Sequence, residues 1–195
     1  IKGIRSPSNG ALVLGKAWHA GIEFNYKQKI SSKKDLPVED VKEFFAVEFD
    51  KLLKEDDVEF NATEKKPAAL KDLGIEMTAL HHKMIAPNVK PLFVEQKFVL
   101  DLGEDFPYTL LGYIDLIEEN GTIVDNKSYK RKPSQDDLDK NVQFTVYALA
   151  YRAINGKLEK QMRMDCILKN KELKAAQLFT TRTNAQCRWM LKLIE

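Results

Sequence analysis

The stretch YTLLGYIDLIEENGTIVDNKSY, residues 108–129, constrains this chain more than any other. β-Branched, aromatic and aliphatic residues flank Glu119-Asn120-Gly121 on both sides, the pattern of a β-hairpin with its turn. Register decides what such a hairpin can do. A two-residue Asn120-Gly121 loop would set Asp115 opposite Asn126 and leave Asp115 and Asp125 on opposite faces of the sheet. A three-residue loop, with Gly121 left-handed and a bulge beside it, pairs Glu118 with Thr122 and Asp115 with Asp125. The bulged loop is expected. It puts Asp115, Asp125 and Lys127 on one face, with Val124 and Asn126 pointing the other way.

Two carboxylates facing each other across strands repel unless a cation or a proton intervenes. Hard carboxylate oxygens suit Mg²⁺ or Mn²⁺, and Mg²⁺ commonly takes one or two carboxylates and completes its shell with water and substrate phosphate. Lys127 could hold a water or a phosphate beside them. A solvated hairpin face on which Lys127 neutralises Asp125 is the other reading of the same residues.

Elsewhere the apolar spacing predicts a helix from Gln135 to about Asn155, with Leu138, Val142, Val146, Leu149 and Ala153 on its buried stripe. Gln143 and Tyr147, four apart, project from one face beside that stripe. Gly15 to Glu23 reads as a helix that puts His19 one turn after Gly15. A lone helical histidine is more often a packed residue than a ligand. Val38–Leu53 and Pro67–Ile85 read as amphipathic helices, a helical insertion of about residues 35–87 before the sheet, and His81 and His82 are expected to be surface or cap residues. Strands are expected at Leu92–Leu102, Tyr108–Glu118, Thr122–Tyr129, Gln161–Lys169 and Ala176–Thr183. The whole gives an α/β class with a mixed central sheet flanked by helices, in one domain spanning 1–195.

Taken in order, Gly15-x-x-x-His19, Glu95, Gly112-x-x-Asp115, Asp125-x-Lys127 and Gln143-x-x-x-Tyr147 resemble the motifs of the RecB-type exonuclease branch of the PD-(D/E)XK nuclease superfamily. The resemblance runs from Gly15 to the Phe179-Thr180-Thr181-Arg182-Thr183 stretch and the terminal helix. It implies a restriction-endonuclease-like fold. It also implies that His19, Asp115 and Asp125 ligate the metal together with the backbone carbonyl of Asn126. Lys127 would orient or help deprotonate the attacking water and steady the phosphoryl group. Gln143 and Tyr147 would bind the nucleic-acid backbone or brace the site, and Glu95 would support it. The implied chemistry is metal-assisted hydrolysis of phosphodiesters in DNA.

Some members of that branch hold an iron–sulfur cluster on four cysteines. This chain has two, Cys166 and Cys187, both in apolar settings, so no cluster is expected. The Ser6-Pro7-Ser8 to His19 interval is short for the branch. The chain has no initiator methionine and stops inside a helical pattern, so its termini are expected to be incomplete. The net charge is only +2, from 31 basic and 29 acidic residues, so nucleic-acid binding would rely on local clusters such as Lys130-Arg131-Lys132, which a solvated loop would explain equally. No apolar run reaches the roughly 20 residues of a membrane helix, and low cysteine use suits a cytoplasmic protein. The leading expectation is a Mg²⁺-dependent deoxyribonuclease, an exonuclease of recombination, repair or phage DNA processing. The alternative is a catalytically silent nucleic-acid-binding module of a helicase or recombination complex, and a third is an α/β domain in which these residues are structural.

Overall fold

The computed structural model describes residues 8–55, 58–60, 66–101 and 109–194. The chain divides into two compact units, residues 1–88 with 171–175, and residues 89–170 with 176–195.

The first unit is helical. Its elements are β1 (Ser8–Asn9), α1 (Gly10–Ser32), α2 (Val38–Glu55), β2 (Val58–Glu59) and α3 (Pro67–Met84), followed by a 3-10 turn at Ala86–Asn88, and β1 pairs with β2 in parallel. Helix α1 is longer than its spacing predicts because it has caps at both ends. The Asn9 side chain accepts the Leu12 N–H at 2.8 Å, and Lys33 closes the helix in the left-handed region, donating its N–H to Lys29. Such an N-cap is worth about 1 kcal/mol. Helix α2 buries Val41, Phe45 and Phe49, an i, i+4, i+8 stripe. The Phe45 ring fills the space that a side chain at Gly74 of α3 would need.

His81 departs from expectation. It is buried, edge-on to Trp18 at 5.6 Å between ring centroids and tilted against Tyr26 at 5.9 Å. A position three or four residues from Met77 and Thr78 shares the inward face of α3, which the His-His pair itself does not disclose. His82 points elsewhere, its Nε2 2.7 Å from the Leu36 carbonyl.

The second unit carries the sheet. Its strands are β3 (Pro91–Asp101), β4 (Thr109–Glu118), β5 (Thr122–Tyr129), β6 (Gln161–Lys169) and β7 (Leu173–Thr180, of which residues 176–180 fall in this unit), in that spatial order, with α4 (Gln135–Asp139), α5 (Val142–Asn155) and α6 (Asn184–Ile194). Strands β3–β4 and β4–β5 are antiparallel and β5–β6 parallel, so the sheet is mixed and α4–α5 form the crossover that a parallel pair requires. The core gathers Phe98, Ile114, Ile117, Ile123, Phe144 and Met164 among others. Buried Arg163 on β6 donates to Glu118 at 3.0 and 3.2 Å and to Asp165 at 2.9 and 3.0 Å, anchoring the turn end of β4.

The helix expected at Gln135–Asn155 is two helices. Ser134 and Asp137 make a capping box at the start of α4, and Asn141 caps α5 by accepting the Phe144 N–H, so two start signals lie seven residues apart. The Arg182 guanidinium donates to the Leu138 and Asn141 carbonyls at 2.9 Å each, satisfying acceptors that the break frees. Restarting the helix also moves its buried stripe. Leu138 is buried and Val146 and Leu149 are half-buried against the core, as expected, but Val142 and Ala153 are exposed, and the fully buried residues of α5 include Phe144, Tyr147, Ala148 and Tyr151. Strand β7 ends at Thr180 rather than Thr183 because Thr183 leaves the strand to cap α6, exchanging hydrogen bonds with Gln186.

Candidate active site

The site of the second unit is built on the β4–β5 hairpin. Gly121 has φ +84° and donates its N–H to the Glu118 carbonyl at 2.8 Å, while the Asn120 side chain accepts the Thr122 N–H at 2.8 Å. This is the three-residue loop expected from the sequence, with glycine where a left-handed conformation is required. The strands pair Leu116 with Val124 and Ile117 with Ile123. Asp115 therefore stands level with Asp125. At that level the ladder gives way to a side chain: the Asn126 N–H donates to Asp115 Oδ2 at 3.0 Å.

The other neighbour of β4 completes a row. Strand β3 pairs Val94 with Leu116 and Gln96 with Ile114, which sets Glu95 level with Asp115. Glu95 itself has φ +52°, a left-handed backbone rare for a residue other than glycine. Strain of this kind, of order 1–3 kcal/mol, persists where the surroundings hold it and clusters at functional sites. Carboxylate oxygens of Glu95 and Asp115 lie within 4.8 Å of one another. Three acids, Glu95, Asp115 and Asp125, thus occupy one level of three adjacent strands.

Asp125 is fully buried. Its Oδ1 accepts from the Lys127 ammonium at 2.8 Å, and its Oδ2 has no hydrogen-bond partner among the described residues. Burial, followed by the charge of Asp115, pushes its pKa up to about 7 against the pull of Lys127. Burial alone would lower the pKa of Lys127, but the charge and hydrogen bond of Asp125 outweigh it, so the pKa rises and the ammonium keeps its proton. Lys127 is thus a cationic donor to Asp125.

From α5, Gln143 Nε2 donates to the Tyr147 hydroxyl at 2.7 Å, and that hydroxyl faces Asp115 Oδ1 at a long 3.4 Å. Burial and then the negative charge of Asp115 raise the phenol's pKa, so it stays neutral. Tyr147 is steadied by Phe98, edge-on at 6.5 Å, whose ring covers Gly112 so closely that any side chain there would overlap it. Sequence reasoning does not single out Phe98. The available signal is Gly112, since a glycine inside a strand marks a close approach.

Glu95, Asp115, Asp125, Lys127, Gln143 and Tyr147 thus belong to one unit. His19 lies on α1 in the first unit, edge-on to Trp18 at 5.5 Å. Asn126 is buried within β5, and Lys130, Arg131 and Lys132 follow that strand, all three exposed. Cys166 and Cys187 are buried free thiols, and burial pushes the Cys166 pKa up to about 12.

A mixed sheet thus carries acids level across three strands and a lysine two residues beyond the innermost acid. The family model of the PD-(D/E)XK nuclease superfamily matches residues 2–188, and the chain belongs to that superfamily. The five-stranded mixed sheet flanked by helices is its restriction-endonuclease-like fold. Members of the superfamily generally use divalent metal ions. No curated protein matches. Among solved structures, an inferred exonuclease from Eubacterium rectale is similar, with 14% identity, a TM-score of 0.47, and 96% of this chain and 77% of that one covered. The crystal structure of SSO0001 is also similar, with 10% identity, a TM-score of 0.39, and coverage of 99% and 77%. No helix among the described residues is long and apolar enough to cross a membrane.

Proposed function

We propose that the chain, as a single nuclease domain over 1–195 with its helical insertion at about 35–87, is a Mg²⁺- or Mn²⁺-dependent deoxyribonuclease. More narrowly, it is a RecB-type exonuclease, cytoplasmic, working in recombination, repair or phage DNA processing and able to serve a helicase or recombination partner. The observation that carries the reading is the position of Asp115, level with Glu95 on one side and Asp125 on the other, with Lys127 bonded to Asp125.

The donor set fits a hard divalent cation. Asp125 Oδ2 is buried without a partner among the described residues, and like charges at one level of the sheet call for a counter-charge. Asp115, Asp125, the Asn126 carbonyl and His19 are the proposed ligands, with Glu95 supporting them from β3. When bound, the cation lowers the pKa of a water and polarises the phosphoryl oxygen. The chain's own groups do the rest. Lys127 donates to the attacking water and to the charge that builds on the phosphoryl oxygens. Gln143 and Tyr147 brace Asp115 or meet the nucleic-acid backbone, and Lys130, Arg131 and Lys132 meet phosphates beyond the scissile one.

The test is incubation of the protein with end-labelled linear DNA and a closed circle, in Mg²⁺, Mn²⁺ or chelator, beside Lys127→Ala. Metal- and Lys127-dependent loss of linear DNA with the circle spared is expected. Cutting of both would make it an endonuclease, and binding without cleavage in any metal would make it a binding module.

A further inference from the structure

The row that Asp125 and Lys127 begin on β5 has a third member. Side chains alternate along a strand, so Tyr129 stands on the same side as both. The register with β6 fixes which side that is. Asp125 is level with Met164, Lys127 with Cys166 and Tyr129 with Leu168. All three β6 residues belong to the core, and the Tyr129 ring packs against it. The row is also a ramp. Asp125 is fully buried, the Lys127 side chain is 30% exposed, Tyr129 is half-buried, and Lys130 and Arg131 beyond it are exposed. A strand that reaches the acids from solvent along β5 therefore passes Tyr129 before it meets Lys127.

Packing accounts for the ring but not for the hydroxyl. A phenol drawn toward a core usually finds a hydrogen-bond partner for its oxygen. Among the described residues the Tyr129 hydroxyl has none, although the charges of Lys127, Asp125 and Asp137 all reach it. Asp125 is engaged by Lys127, and Asp137 by Ser134. Burial is the largest influence on the phenol and raises its pKa, so the group keeps its proton and is an O–H donor.

Spacing names the acceptor. One two-residue step of a strand is about 7 Å, comparable to the separation of consecutive phosphates along one nucleic-acid strand. With the scissile phosphate at the acids and Lys127, the next phosphate toward solvent falls at Tyr129. Resting on the nuclease reading above, we infer that Tyr129 is a substrate-binding residue whose hydroxyl donates to a non-bridging oxygen of the phosphate next to the scissile one. It fills the step between Lys127 and the exposed Lys130-Arg131-Lys132 cluster. A directional donor at that step holds the strand in register, so that the scissile phosphate stops at the acids.

Tyr129→Phe keeps the ring and removes only the donor, so its melting temperature in chelator should equal the parent's. On unmodified DNA, in the metal that supports cleavage, kcat/KM should fall roughly ten-fold. The change should lie in KM, because a contact to a flanking phosphate is made in ground and transition states alike. The deciding substrate carries a single methylphosphonate, placed in turn at each linkage beside the cleaved one, with its two diastereomers separated. At one linkage, the diastereomer whose methyl group replaces the accepting oxygen should bring the parent-to-variant ratio from about ten to about one, while the other diastereomer preserves it. A ratio of one on unmodified DNA, a loss confined to kcat, or a ratio that no methylphosphonate alters would overturn the inference and leave the nuclease reading standing. A parent that cleaves no DNA in any metal would overturn the nuclease reading, and this inference with it.

Discussion

Asp115 takes the backbone N–H of Asn126 on its carboxylate, at 3.0 Å, at the level where β4 and β5 stop pairing. A side chain thus replaces a ladder bond, and the two strands can part without leaving a buried amide unsatisfied. The same bond fixes one Asp115 oxygen and leaves the other toward Tyr147.

Two substitutions separate these duties. Asp115→Ala leaves the Asn126 N–H without its acceptor, a cost of about 1–3 kcal/mol offset in part by relief of repulsion with Asp125. Asp115→Asn keeps an acceptor and should lie within about 1 kcal/mol of the parent. Both should lose nuclease activity. Denaturant unfolding in chelator together with a cleavage assay checks the pair, and equal stability of the two variants would show that the Asn126 bond contributes little.

Asp125 sets a pH dependence. Its folded pKa, about 7, lies above the ordinary carboxyl value, so the folded protein binds this proton more tightly than the unfolded chain does. Metal-free stability on this account falls as pH rises from about 4 to about 7 and levels off above. Asp125→Asn removes the cost, so at about pH 8 in chelator the variant should be more stable than the parent by about 1–4 kcal/mol, the gain fading toward about pH 4. Melting curves across that range decide it, and a variant that melts below the parent at high pH would contradict the account.

Adding Mg²⁺ or Mn²⁺ should work against that order. A cation held by the folded state alone stabilises by about 2.7 kcal/mol at a hundred-fold excess over its dissociation constant. The parent should gain this, and Asp125→Asn should lose most of it. Thermal shift against metal concentration is the measurement.

The brace on Asp115 is testable from α5. Tyr147→Phe removes the hydroxyl between Gln143 and Asp115, and should cost about 0.5–1.5 kcal/mol of stability while lowering kcat more than KM rises. Gly112→Ala acts one step further out. It forces the Phe98 ring off its seat, at about 1–3 kcal/mol, and should reduce cleavage by displacing Tyr147. Full activity in Gly112→Ala would break the proposed chain of support.

Neighbouring residues alone settle the hairpin. Glu119-Asn120-Gly121 carries its own turn chemistry, and the side-chain period of two then dictates that Asp115 meets Asp125, so this half of the acidic row is legible in the residues themselves. The caps at Ser134 and Asn141 are also written locally, but a continuous apolar pattern masks them. The break between α4 and α5 is held by Arg182, 44 residues along the chain from Leu138 and 41 from Asn141, a partnership that no local pattern encodes. His81 is core for a similar reason, because burial depends on which helices pack against α3. The left-handed Glu95 has no signal in its own neighbours. Its place beside Asp115 follows from the pairing of β3 with β4, a long-range register that brings the third acid to the level where β4 and β5 part.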